Sequence, residues 1–377
     1  MSNPDVKTTT HSPVSCTPWR PDADIDGAEI PLIGGRDAIP ILSGTDLWDC
    51  WPLAREDGST AVVDGRQYWF FLSAPCFPDP VQRHHAAKIR LVSLGPDGWR
   101  DHGDCLPDAL SPGSREWAGS AVLHDDGVNV TLFFTAAGRR GEGHSFEQRL
   151  FAVRGRLGQD GPGEWSDSSE VVRPDGDRYF VAAEGEGTPG LIKGFRDPAW
   201  FRDPATGQSH LLFTGSAGWD DDAFNGVIGL ISCGTDGAWH LADPLIDSIG
   251  VNNELERPHM LVRDGLYYLF WSTQRRTFAP GVPSGPNGLY AMVADQLTGP
   301  YRPVNGNGLV AANPAAEPTQ TYSWWVTGEG EVWSFIDHWG LKGRALAEHP
   351  ELLRQQFGGT PAPRFRLVFH GDSVNIT

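Results

Sequence analysis

Cysteine is scarce in this chain, and what there is does not pair. Cys16, Cys50, Cys76, Cys105 and Cys233 are odd in number, widely spaced and free of any Cys-x-x-Cys. That pattern argues against a disulfide framework or a zinc site and for reduced thiols. Histidine offers no metal set either: His84-His85 are adjacent rather than facing, and no His-x-x-x-His occurs. No metal ligands and no cofactor are expected, since P-loop, Rossmann and Gly-x-Ser-x-Gly patterns are also missing. Basic residues are outnumbered, 30 Lys and Arg against 48 Asp and Glu, for a net charge of -18. Phosphate backbones select basic faces, so nucleic acid is excluded as a partner, whereas an uncharged ligand tolerates the acidity. No apolar run approaches the roughly 18 residues needed to span a membrane. Met1 to Asp26 is polar, with no apolar stretch of a cleaved signal peptide, so the expected location is cytoplasmic or external by another export route. Long amphipathic helices are missing before about residue 340. Oligomeric state has no signature in the sequence.

What is present points to short strands. Gly 46 and Pro 30 are scattered rather than clustered, as expected for many strands joined by turns. Trp is in excess at 15, a residue whose flat apolar face and N–H donor suit sugar rings as well as cores. Five segments repeat one pattern: a polar or aromatic cluster, a strand, a tight turn, then a strongly apolar strand. They run from Trp48-Asp49 to Phe71-Leu72, from Glu116-Trp117 to Phe133-Phe134, from Arg196-Asp197 to Leu212-Phe213, from Glu256-Arg257 to Leu269-Phe270, and from Tyr322-Ser323 to Ser334-Phe335. Asp64-Gly65, Asp126-Gly127 and Asp264-Gly265 carry the strongest hairpin signal; Thr206-Gly207 and Gly328-Glu329-Gly330 serve the other two. Turns recurring roughly 60 to 80 residues apart, with about four strands per unit, read as an all-β, five-bladed β-propeller. A β-sandwich would not place a polar cluster before every hairpin. In a propeller each innermost strand begins near one mouth of the central channel, which predicts an axial active-site pocket. The domain reading is a polar extension over 1–30 and one propeller over 31–377.

The acidic members of those clusters are Asp49, Glu116, Asp197, Glu254 and Glu256. Carboxylates flanked by aromatics must solvate or find partners, and several converging on one pocket suit glycoside cleavage. There one carboxylate attacks the anomeric carbon and a second, protonated one serves the leaving oxygen; retaining enzymes hold the two about 5 to 5.5 Å apart. Asp49 sits in Leu47-Trp48-Asp49-Cys50-Trp51-Pro52, where nearby indoles exclude water. Pro198 biases Asp197 towards an extended backbone, and Arg196 favours its ionised form if the side chains meet. A second Arg-Asp-Pro, Arg202-Asp203-Pro204, falls in the hairpin turn and reads as structural. Glu254 and Glu256 share one strand face, so each raises the other's pKa and helps one stay protonated.

Trp48 to Pro52, Glu116-Trp117-Ala118-Gly119, Phe195-Arg196-Asp197-Pro198, Glu256-Arg257-Pro258-His259, Leu297-Thr298-Gly299-Pro300-Tyr301 and Gln320-Thr321-Tyr322-Ser323 occur in that order. Together they resemble glycoside hydrolase family 68, the levansucrases, inulosucrases and bacterial β-fructofuranosidases, over roughly residues 40 to 340. The resemblance implies a five-bladed propeller and a small saccharide substrate. It implies that Asp49 forms a fructosyl-enzyme, Asp197 holds fructose hydroxyls and Glu256 protonates the leaving group, with Trp48, Trp117, Arg196 and Glu254 lining the subsite. Tyr322 joins the substrate-binding set. Three positions depart from the family pattern, Thr214, Gln274 and Trp324, and the resemblance places them on the leaving-group and acceptor side. That favours water or short acceptors over long levan. Asn253 stands where some members have a calcium-site Asp, so no calcium is expected. Family 32 enzymes append a β-sandwich that the tail is too short to form. The rival expectations are fructosyl transfer on an unusual donor or acceptor such as a specialised metabolite, an arabinan- or xylan-type propeller hydrolase, and a non-catalytic sugar-binding propeller.

Overall fold

The computed structural model describes residues 14–181 and 188–377. Residues 1–13 of the sequence-derived extension lie outside the described residues. The architecture is a five-bladed β-propeller, each blade an antiparallel sheet running outward from the axis. The first blade uses strands Thr45–Arg55, Arg66–Pro75, Lys88–Gly95 and Gly98–Asp104; the second uses Arg115–Leu123, Asn129–Ala137, Gln148–Gly158 and Gly161–Glu170. Phe195–Arg202, Ser209–Ser216, Gly226–Cys233 and Trp239–Asp247 make the third. Glu256–Arg263, Leu266–Thr273 and Gly288–Ala294 form the fourth, with short strands Arg302–Pro303 and Leu309–Ala312 outside them. Thr321–Val326, Glu331–His338, Phe357–Pro361 and Phe365–His370 supply the fifth. Among the described residues, helix is confined to Leu352–Gln355 and three short 3-10 segments.

The second strand of each blade is read as a continuous apolar run because both its faces are covered by neighbouring blades. Tyr68 through Leu72 are all buried, as are Leu211 to Phe213 and Tyr268 to Trp271. The ring of blades closes between the fifth and the first. There the Trp69 and Trp333 ring centroids lie 3.8 Å apart, and Glu329 accepts hydrogen bonds from the Thr60 N–H and hydroxyl. The segment after residue 14 also packs onto the propeller. Thr17–Pro18 pairs in parallel with Ile246–Asp247, and Trp19 is buried against Trp271, Phe278 and Tyr290 of the fourth blade.

The turns differ in kind more than the dipeptides imply. Asp64-Gly65 and Asp264-Gly265 have both residues at positive φ, as a two-residue hairpin requires. Asp126 instead caps its loop, accepting the N–H groups of Val128 and Asn129. Asp203 behaves likewise, taking the Ala205 N–H, the Thr206 hydroxyl at 2.8 Å and the Tyr267 hydroxyl at 2.6 Å, so the second Arg-Asp-Pro is structural.

One feature recurs in all five blades. The pairing of the innermost strand with its neighbour slips near the axis: between Trp48 and Trp51, Trp117 and Gly119, Arg196 and Ala199, Glu256 and His259, and Tyr322 and Trp325. A bulge re-aims side chains, and four of these bulges hold a non-glycine residue at positive φ: Asp49 at 44°, Asp197 at 61°, Arg257 at 51° and Ser323 at 61°. In the second blade the bulge is relieved by Gly119, where an added Cβ would sit 1.9 Å from the Phe133 carbonyl oxygen.

Candidate active site

Asp197, Glu254 and Glu256 gather around one guanidinium, and Asp49 lies near enough to Glu256 and Asp197 for their charges to be felt. Arg196, nearly fully buried, pairs through Nη2 with Glu254 and, at 3.0 Å, with Glu256 Oε1. Its Nε lies 3.6 Å from Asp197 Oδ2. Gln148 of the second blade steadies this strand, its Oε1 accepting the Phe195 N–H at 2.9 Å. A buried cation among three carboxylates offsets the cost of removing them from water. Glu256 has a second partner, the Tyr322 hydroxyl, which donates to Oε2.

Asp197 is buried and tightly held. Its Oδ2 accepts the Thr214 hydroxyl at 2.9 Å and the Arg257 N–H at 3.3 Å, while its own N–H donates to Thr135 Oγ1 at 2.9 Å. Burial pushes its carboxyl up to about 6; Arg196 and Arg257 oppose that, and Glu256 and Asp49 add to it. Burial likewise raises Glu254 to about 7, assisted by the neighbouring Glu256 charge and opposed by Arg196. Asp49 is also pushed up by burial and by Glu256, against the pull of Arg257, the Ser323 hydroxyl and Arg83. Burial thus raises the proton affinity of three of the four carboxyls, Asp49, Asp197 and Glu254.

Trp48 is buried in the first blade, its ring edge-on to His84 with centroids 5.9 Å apart and the Arg83 guanidinium 5.4 Å away. Trp117 is half-buried; its Nε1 donates to the His84 carbonyl at 3.4 Å, so the two indoles flank one histidine. Gln274 stands on the rim after the fourth blade's second strand, its Oε1 accepting from Arg276 Nε at 2.6 Å. Glu116 departs from the acidic cluster. It is buried in the seam between the first and second blades, accepting the Ile89 N–H at 2.8 Å and pairing with Lys88.

Two positions read as acceptor-side are not surface-lining at all. Thr214 has no exposed surface; it lies beneath Asp197, bonded to that carboxylate and facing the Leu255 carbonyl at 3.2 Å. Trp324 is equally enclosed, packed edge-on behind Tyr322 at 5.8 Å. The bulge between Tyr322 and Trp325 turns the Tyr322 hydroxyl to the axis and leaves the following indole in the core. Asn253 is buried too, its amide spanning the Gly190 N–H and the Ala223 carbonyl at 2.6 Å each.

Arg257, Ser323, His259 and His84 escaped the reading of the sequence as site residues. Arg257 and Ser323 directly follow Glu256 and Tyr322 in the sequence, yet only the bulge geometry shows that they meet. His259 stays neutral, burial pushing it down to about 3. Its Nε2 accepts the Val326 N–H at 2.9 Å, so Nδ1 carries the proton and donates to the Arg257 carbonyl at 3.0 Å.

A model of glycoside hydrolase family 68, described as levansucrase/invertase, matches residues 24–226 and 221–377. The chain belongs to this family. A levansucrase of Pseudomonas savastanoi pv. glycinea is 32% identical over 89% of this chain and 86% of its own length. An inulosucrase from Halalkalicoccus jeotgali, solved with bound kestose, has a TM-score of 0.85 at 39% identity, covering 96% of this chain and 95% of that one. A full-length β-fructofuranosidase from Microbacterium saccharophilum K-1 shares the fold, with a TM-score of 0.79 at 23% identity over 97% of this chain and 84% of its own. As a family 68 member the protein is an enzyme of the fructosyltransferase and glycoside hydrolase type.

Proposed function

We propose that the protein is a retaining enzyme, a single catalytic propeller over 31–377, that cleaves sucrose or a related β-fructoside and passes fructose to water or an acceptor, with short products favoured over long levan. The observation that carries this reading is that Asp49, Asp197 and Glu256 lie near enough for their charges to be felt by one another, with Arg196 and Tyr322 fixing the last. In the first step an Asp49 oxygen attacks the fructosyl anomeric carbon. The glycosidic bond breaks, its electron pair stays on the leaving oxygen, and Glu256 delivers a proton there. Burial and the neighbouring Glu256 charge raise the Glu254 carboxyl. Asp197 accepts hydrogen bonds from fructose hydroxyls as the ring flattens, and the Trp48 and Trp117 indoles flank the sugar. In the second step Glu256 takes a proton from water or an acceptor hydroxyl, which displaces Asp49.

The preference for short products rests on Gln274, since Thr214 and Trp324 are enclosed. Incubating the purified protein with sucrose and chromatographing the products over time tests the whole reading. Glucose release with free fructose or short transfer products is expected, and high-molecular-weight fructan would contradict the product preference. Asp49→Ala and Glu256→Ala variants should each abolish cleavage while remaining folded; near-normal turnover by Asp49→Ala would overturn the assignment of the nucleophile.

A further inference from the structure

Arg257 follows the residue assigned as acid/base, and it is 3% exposed. It contacts four of the five blades. From its own bulge in the fourth blade, Nη2 donates to the Cys50 carbonyl at 2.8 Å, inside the first-blade bulge that holds Asp49. Nη1 donates to Ser323 Oγ at 2.8 Å in the fifth-blade bulge. Its backbone N–H faces Asp197 Oδ2 at 3.3 Å and Thr214 Oγ1 at 3.1 Å in the third. The guanidinium carbon lies 5.7 Å from the Trp51 ring centroid and 5.2 Å from that of Trp325. All four of the bulges so joined carry positive-φ residues, Asp49, Asp197, Arg257 and Ser323, backbone states that persist only when the surroundings over-determine them.

We propose that Arg257 is the positioning residue of the catalytic carboxylates, holding the Asp49 bulge through Cys50 and orienting the Ser323 hydroxyl towards the Asp49 carboxylate. Because Arg257 donates to Ser323 Oγ, that hydroxyl is left to give its own proton to Asp49. The planar fork matters as much as the charge: two acceptors in two different blades are met by one rigid group, which an ammonium does not span. The groups facing Asp49 are Arg257, Ser323, Glu256 and Arg83, with Asp197 also near enough for its charge to be felt. Of these, Arg257 is the cation that most favours the ionised nucleophile.

The inference rests on Asp49 being the nucleophile, and three variants of the full chain separate the two ideas. Arg257→Lys keeps the charge and loses the bridge; Arg257→Gln loses both; Ser323→Ala loses one hydroxyl. In steady-state sucrose cleavage, Arg257→Lys and Ser323→Ala should each lower kcat about ten-fold or more while KM stays within about three-fold, the signature of a lost transition-state geometry. In Arg257→Gln the acid limb of the kcat/KM profile should move up by about one pH unit, because a nearby cation no longer favours ionised Asp49. If the Arg257 variants do not fold, as judged by circular dichroism, Ser323→Ala decides alone through its kcat. A folded Ser323→Ala with unchanged kcat, or a folded Arg257→Gln with an unmoved acid limb, overturns the inference. Those results beside an inactive Asp49→Ala would leave the nucleophile standing, whereas an active Asp49→Ala would remove it whatever Arg257 does.

Discussion

Asp197→Asn should make the protein less active and, at alkaline pH, relatively more stable. Asp197 is pushed from 3.8 to about 6 by burial, despite Arg196 and Arg257 beside it. A carboxyl whose folded pKa is raised contributes stability that is fully present below the unfolded pKa. That contribution is lost as pH rises through the folded value. At about 1.4 kcal/mol per unit the full effect is about 3 kcal/mol, of which about 2 kcal/mol falls between pH 4.5 and pH 8. Asn keeps the shape and can still accept the Thr214 hydroxyl and the Arg257 N–H. Arg196 loses one anion and retains Glu254 and Glu256. Urea unfolding of wild type and variant at both pH values, followed by Trp fluorescence, gives four free energies. Their double difference cancels the repulsion of an acidic chain, which both proteins share. The stability of the variant relative to wild type should rise by about 2 kcal/mol from pH 4.5 to pH 8. A double difference of zero, or of opposite sign, would refute the claim that burial holds this carboxyl above its ordinary range.

Three other outcomes follow from the same geometry. Tyr322→Phe removes the hydroxyl that donates to Glu256, and kcat for sucrose should fall about ten-fold with the fold intact by circular dichroism. Gly119→Ala sets a methyl 1.9 Å from the Phe133 carbonyl and should lower the melting temperature by several degrees or block soluble expression. Gln274→His or Gln274→Arg, on the rim beside Arg276, should lengthen transfer products on size-exclusion chromatography, while Thr214→Glu should not, because that position is enclosed.

The blades were legible because tight turns and fully buried second strands leave marks on composition: Asp-Gly dipeptides, and runs such as Tyr68 to Leu72. The carboxylates were legible as clusters at the start of each innermost strand. The direction of their neighbours was not. Strand alternation sends residues i and i+2 to one face, but a slipped register at each innermost strand breaks that rule where the site is built. Asp49, Arg257 and Ser323 adopt positive φ without being glycine, so nothing in their identity announces a bulge. Thr214 and Trp324 were therefore placed at the acceptor side and found beneath the site, while Arg257 and Ser323 were named within motifs but given no place in the site. Glu116 shared the pattern of the other acids, yet its partner Lys88 draws it into a seam between blades. Trp19, Ile25 and Ile30 are too far apart to show a period, and only packing against the blades identifies them as core.

The most direct test is to trap the covalent intermediate. With a fructosyl fluoride donor, whose leaving group needs no proton, a Glu256→Gln variant should form the fructosyl-enzyme and then stall for want of its base. Digestion and mass spectrometry should then find one hexosyl group on the peptide bearing Asp49. A hexosyl group on the peptide bearing Asp197 or Glu254, or steady fluoride release with no labelled peptide, would contradict Asp49 as the nucleophile.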